Sequence, residues 1–393
     1  MRIAIFTKRT VFHDGFGGLE THTTVLAEEL TKRGYSVVVF APQYKLSYQS
    51  KVQNGVTYRF VPSVYRMLFK NSSDNWYSAS QQAFKLEHAN EKFALVISQS
   101  SAGVGIIDNR DYFKVPVLSI AHGSILSEYK TRLLSVASVK DTAYLLKDIL
   151  FVLINYFGRQ RDFILGSSHV VAVSNAVKNS VIDETFVSED NITVIHNGID
   201  PSVFANITSK KETSSLTLVF IGRLEYVKGV HVLLKALYAL QNSFVKLLII
   251  GDGPYRSYLE NYVTSRNLSE QVTFKGKLSH VEAMQTLLDA DVYVLPTLRV
   301  EGFPMTLPEA MFARLPLIVS DLGGNKEAIE EGKNGYIVPA GDVPALIEKI
   351  NSFVDNRNLV ISMGDYSYKK ASSEFSIDEM LNSYIEIIKK ITK

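Results

Sequence analysis

LTLVFIGRLEYVKG, residues Leu216–Gly229, joins three readable pieces. Leu216–Ile221 is uncharged and largely apolar or β-branched, with the length of a buried strand, and a helical period runs from Gly229 to Leu240. Between them lies a loop carrying Arg223 and Lys228. Onward from here the alternation continues, with strands expected at Lys246–Ile250, Val272–Lys275, Val292–Leu295 and Leu317–Ser320, and helices at Tyr255–Arg266, His280–Ala290 and Pro308–Ala313. Backward, the polar stretch Asn206–Ser215 reads as a linker. Before it the same pattern runs from Arg2–Thr7 (RIAIFT) through a helix at Thr21–Arg33 to Ser36–Ala41 (SVVVFA), with further strands at Ala94–Ser98, Val115–Ile120, Val170–Val173 and Thr193–His196. The first half therefore reads as a parallel α/β domain. The expected fold is α/β: two Rossmann-like doubly wound domains, residues 1–204 and 205–370, facing a central cleft. Such sheets bind ligands at the carboxyl ends of their strands.

Composition narrows the function classes. A chain of 393 residues suits two cores. Forty-two basic against 40 acidic residues give a net charge of +2, which argues against nucleic acid as a partner. The first half is slightly the more basic. With no cysteine, thiolate catalysis, disulfides and Cys-ligated zinc are excluded. The N-terminus lacks the pattern of a signal peptide, so the expectation is a cytoplasmic protein.

The strongest motif is Glu301-Gly302-Phe303-Pro304-Met305-Thr306-Leu307-Pro308-Glu309, a strand-to-helix turn with a carboxylate at each end. Backbone N–H groups in such a turn suit phosphate oxygens, while carboxylates beside them suit the hydroxyls of a sugar or ribose. Arg223 and Lys228, at a strand's carboxyl end beside a helix start, suit a diphosphate; the alternative is a solvated surface pair. The loop Gly15-Phe16-Gly17-Gly18 opens the first helix, where Gly17 and Gly18 suit a phosphate or an acidic acceptor, or form a purely structural turn. As an NAD fingerprint it is poor, because the second strand ends in Phe40-Ala41-Pro42 without a ribose-binding acid. His122, just after the strand VPVLSI, is equally readable as a ligand-facing or a structural imidazole. Asp289-Ala290-Asp291 superficially matches a metal-binding Asp-x-Asp, but no further acid or His adjoins it, so it reads as structural and no metal is expected.

With those residues in place, the chain resembles the family 4 retaining glycosyltransferases of the GT-B fold. The matching pieces are GGLETHT (Gly17–Thr23), VAVSNAVK (Val171–Lys178), VIHNGID (Val194–Asp200), FIGRLEYVKG (Phe220–Gly229), IIGDGP (Ile249–Pro254) and EGFPMTLPEAM (Glu301–Met311). The resemblance implies a hexosyltransferase that takes a UDP- or GDP-sugar as donor and a glycan or lipid-linked molecule as acceptor, in cell-surface polysaccharide or glycolipid synthesis, with no cofactor. A soluble small-molecule acceptor, and a non-catalytic sugar-nucleotide-binding subunit, are the alternatives. It implies Arg223 and Lys228 as the diphosphate clamp, Glu309 on the ribose and Glu301 on the donor sugar. Gly302 to Leu307 (Gly302, Phe303, Pro304, Met305, Thr306, Leu307) would line the donor, Leu278 would contact the base through its backbone, and His122 would position and stabilise. Many relatives have Gly where Pro304 stands, so one N–H is lost from the turn. The C-terminal segment, residues 371–393, is expected to return to the first domain as in relatives.

The segment Ala143–Gly158 (AYLLKDILFVLINYFG) is unusually apolar, yet its uncharged run is too short to span a bilayer. It reads either as a core helix or as an interfacial one. The second reading would place the protein peripherally on an anionic membrane surface, at the inner face of the cell membrane.

Overall fold

The computed structural model describes residues 1–13, 17–63, 75–124, 126, 127, 129, 131, 159–205 and 215–393. Gly15, Phe16, nearly all of the expected linker and the apolar segment 143–158 lie outside the described residues. The described chain forms two units. One gathers Met1–Tyr129, Ser138–His196 and Met380–Lys393, and the other gathers Lys130–Ala137 and Asn197–Glu379.

The first unit is built on β1 (Arg2–Phe6), β2 (Ser36–Pro42), β3 (Ser50–Gln53), β4 (Val56–Val61), β5 (Leu95–Gln99), β6 (Val117–Ala121), β7 (His169–Ala172) and β8 (Ile192–Val194), in the order β3-β4-β2-β1-β5-β6-β7-β8. All pairs are parallel except β3 with β4. The purely parallel sheet expected from sequence is thus corrected to a mixed one. Its antiparallel edge is a hairpin closed by Asn54 (φ 50) and Gly55 (φ 79), a pair that tolerates the left-handed backbone of a tight turn. The apolar runs of β1, β2, β5 and β6 are buried on both faces, as helices on either side of a parallel sheet require.

The second unit is a parallel sheet of β9 (Leu216–Ile221), β10 (Val245–Ile250), β11 (Val272–Gly276), β12 (Val292–Leu295), β13 (Leu317–Ser320) and β14 (Gly335–Val338), in the order β11-β10-β9-β12-β13-β14. The order reverses between β9 and β12, so the loops after these two strands flank the topological switch point of the sheet. Two glycines let those loops meet. Gly229 (φ +71) lies so close to the Pro296 carbonyl that a Cβ would sit 1.8 Å from its oxygen. Across this contact Leu298 N–H donates to Val227 O (2.8 Å), and Thr297 Oγ1 lies 3.1 Å from the same oxygen. On the other side Gly323 (φ +60) would place a Cβ 2.1 Å from Glu301 O, and Gly324 N–H donates to that carbonyl (3.0 Å). The chain around Glu301 is therefore clasped from β9 and from β13.

The helix Ile377–Ile391 has a wide apolar stripe, and its Tyr384 is fully buried in the first unit against His22. Among the described residues no helix is long and apolar enough to cross a membrane.

Candidate functional site

The clasp carries a partly buried ion pair. Lys228, the last residue of a tight turn at Tyr226–Lys228, reaches Glu301 Oε1 with its Nζ at 2.7 Å. Thr297 Oγ1 donates to the same carboxylate oxygen at 3.2 Å. Burial alone would raise the pKa of Glu301, but Lys228 and Arg299, with hydrogen bonds from Lys228 and Thr297, outweigh it and hold the carboxyl below its usual range. Glu301 is therefore an anion with fixed donors, and removing either member would strand a mostly buried charge.

From Glu301 the chain turns into the helix Thr306–Phe312. Asn197 Nδ2 donates to Phe303 O (2.6 Å), Leu307 N–H to Pro304 O (3.1 Å), and Tyr293 O–H to Thr306 Oγ1 (2.7 Å). Pro304 thus lends its carbonyl to the turn although its ring removes an N–H. Pro308, third in the helix, occupies a position where an N–H has no intrahelical partner. Glu309 follows, nearly buried, and its Oε1 accepts from His280 Nε2 at 3.1 Å. That hydrogen bond raises the His280 pKa against the opposing effect of burial, with the Glu309 charge adding to it. Leu278 lies half-buried in the loop after β11, two residues before His280. Arg223 does not join the Lys228–Glu301 pair; it is exposed on the loop after β9, with Glu225 at 2.9 Å.

The first unit holds the other expected residues. His122 follows β6, and its Nε2 lies 2.7 Å from Oε1 of Gln99, the last residue of β5. Burial lowers the His122 pKa to about 4, so the ring is neutral near pH 7. Gly17 precedes the helix Gly18–Lys32, but its N–H donates to Glu20 Oε2 at 2.8 Å. An acidic ligand at this helix start would compete with the chain's own carboxylate. Asp291 has a structural task, accepting from Thr217 N–H (2.7 Å) and meeting Arg357 (3.2 Å). His280, Thr297, Asn197, Gln99 and His22 were not singled out from sequence; the signals available were the nearness of His280 to Leu278 and the places of Asn197 in VIHNGID and His22 in GGLETHT.

Comparison with known proteins now supplies the class. Residues 16–203 match glycosyltransferase family 4, and residues 205–370 match glycosyl transferases group 1. A glycogen synthase of Mycobacterium tuberculosis is 32% identical over 198 residues, 50% of this chain and 48% of that protein, so the chain spans about half the length of that relative. An uncharacterized glycosyltransferase of Methanocaldococcus jannaschii is 23% identical over 100% of this chain and 99% of its own. Among solved structures, Anabaena HepE in complex with UDP-glucose is similar with a TM-score of 0.76, at 17% identity, over 99% of this chain and 100% of that one. The chain belongs to the family 4 glycosyltransferases, and its two α/β units are those of the GT-B fold.

The His280–Glu309 contact has a signed pH dependence. Because the folded pKa of His280 lies above its ordinary 6.5, the pair stabilises the fold below that value, and the contribution is lost as pH rises through the raised pKa. The thermal stability gap between wild type and Glu309→Gln should be wider at about pH 5.5 than at about pH 8. An NMR titration should place His280 above 6.5 in the wild type only. A pH-independent gap with an ordinary His280 would contradict the pairing.

Proposed function

We propose that this protein transfers a hexose-type sugar from a nucleoside diphosphate sugar, a UDP- or GDP-sugar, to a glycan or lipid-linked acceptor with retention of anomeric configuration and without a metal. The observation that carries this reading is the partly buried Lys228–Glu301 pair at the start of a turn that ends in Glu309. A cation from the loop after β9, brought against a fixed anionic carboxylate that leads into a helix start, matches a ligand that carries both phosphate and hydroxyl groups. The UDP-glucose bound to a structural neighbour of the same fold supports a nucleotide-sugar donor.

In this reading Lys228 and Arg223 meet the diphosphate, Glu309 accepts from the ribose hydroxyls and Glu301 from those of the sugar. The bond from the anomeric carbon to the diphosphate oxygen breaks, the bond to the acceptor oxygen forms on the same face, and the acceptor's proton passes to the leaving diphosphate. Lys228 and Arg223 then stabilise the charge that develops on that group, the largest single contribution such a site makes to rate. His122, neutral near pH 7, hydrogen-bonds and positions rather than attacks. Metal independence is supported by Asp291, which is already held by Thr217 and Arg357.

Turnover is tested by incubating the protein with a panel of UDP-, GDP- and ADP-sugars and candidate acceptors, in excess EDTA, and reading the product linkage by proton NMR. Retention with undiminished rate in EDTA is expected; an inverted linkage, or strict dependence on added Mn²⁺ or Mg²⁺, would overturn the mechanism.

The finer cellular reading is a cytoplasmic enzyme of cell-surface polysaccharide or glycolipid synthesis, peripheral at the inner face of the membrane. It rests on the sequence of residues 143–158, with Lys140, Lys147, Arg159 and Arg161 in or beside the apolar run. Co-sedimentation with anionic vesicles should be lost in a folded Phe151→Glu, Phe157→Glu double variant. A wild type that ignores such vesicles would remove the membrane and favour a soluble acceptor.

A further inference from the structure

At the carboxyl ends of β5 and β6 in the first unit, His122 heads a row of polar side chains whose other members, all buried, the proposed chemistry has not used. His122 Nε2 lies 2.7 Å from Gln99 Oε1. Gln99 Nε2 lies 3.5 Å from His22 Nδ1, and His22 Nε2 lies 3.4 Å from the Tyr384 hydroxyl. The two imidazoles stand edge to face with centroids 5.0 Å apart. Gln99, His22 and Tyr384 are all buried, each from a different element: the end of β5, the helix Gly18–Lys32 and the helix Ile377–Ile391.

A neutral imidazole carries one proton, and its hydrogen-bond partner decides which nitrogen holds it. Burial lowers the pKa of His22 well below its ordinary value, with the nearby His122 adding to the effect, so this ring too is neutral. Gln99 offers one acceptor and one donor, and its direction fixes the whole row. With its carbonyl on His122, the His122 proton sits on Nε2; the Gln99 amide donates to His22 Nδ1; His22 Nε2–H donates to the Tyr384 oxygen. Reversing the amide would place its NH₂ against His122 Nε2 and move the proton to Nδ1.

We propose that Gln99 is a positioning residue that holds His122 as the Nε2–H tautomer, leaving Nδ1 as an acceptor for a substrate hydroxyl, and that His22 and Tyr384 lock the direction of the Gln99 amide. This rests on the transferase reading above, in which His122 hydrogen-bonds the reactants. Tyr384 gives the C-terminal helix a place in the site that neither its apolar stripe nor the motifs disclose.

The test is long-range proton–nitrogen NMR of protein labelled at histidine, with the His122 ring signals assigned by their loss in His122→Ala. A single Nε2–H tautomer is expected near pH 7 in the wild type. Gln99→Leu should give a mixture of tautomers and a kcat lower by about tenfold or more, the loss of one well-formed hydrogen bond, with the KM for donor little changed. Gln99→Glu, which keeps an acceptor oxygen on Nε2, should restore the single tautomer. Tyr384→Phe removes only the hydroxyl and should let the second tautomer appear, which keeps the test sound if Gln99→Leu fails to fold. An Nδ1–H tautomer in the wild type, or wild-type tautomer and turnover in Gln99→Leu or Tyr384→Phe, would overturn the proposal. A wild type with the expected tautomer but no transfer from any nucleotide sugar would overturn the transferase reading alone.

Discussion

The Lys228–Glu301 ion pair is the constraint around which the second unit is arranged. A buried charge pair is a poor source of net stability, because two desolvated ions recover their hydration only through good geometry. Its geometry here is supplied by the backbone: Gly229 against Pro296, Thr297 and Leu298 on Val227, and Gly323 and Gly324 on Glu301. Together these contacts bring the loops after β9, β12 and β13 to the same point, and two of them demand a glycine for its missing Cβ and positive φ. The sheet is thus organised to hold a charged, hydrogen-bonding pair where its strand order reverses.

The same economy of fixed groups is seen at Glu309 and His122. Glu309 has His280, Glu301 has Lys228 and Thr297, and His122 has Gln99, so each polar side chain of the candidate site already has one partner that sets its direction. Groups oriented before a ligand arrives need not reorganise when charge shifts, which is the physical basis of electrostatic preorganisation. Arg223 is the exception, exposed and on a loop with Glu225, and it is the cation best able to follow a ligand.

Much of the fold was legible because the apolar runs are short, uncharged and bounded by turn residues. Leu216–Ile221, Val292–Leu295 and Leu317–Ser320 lie where the pattern puts them. The β3–β4 hairpin was missed although Asn54-Gly55 is a strong turn signal, because SKVQ is polar on an exposed edge and lacks the apolar alternation that marks a half-buried strand. The helix expected from Pro308 begins at Thr306, since a proline can sit inside the first turn. Site residues were legible one at a time and not as contacts. Lys228 and Glu301 are 73 residues apart, and only the tertiary fold shows that one neutralises the other. Gln99 carries no motif of its own, and His22 sits in GGLETHT without anything in that motif showing which ring it faces.

The central claim is that the clasped loops of the second unit bind a nucleoside diphosphate through Lys228. Calorimetric titration of UDP and GDP against wild type and Lys228→Ala, with the fold of each checked by circular dichroism, addresses it without requiring the acceptor. The account predicts that one of the two nucleotides binds the wild type and that the variant loses at least about tenfold in affinity, as loss of a charge-assisted phosphate contact implies. Equal affinity in both proteins would contradict it.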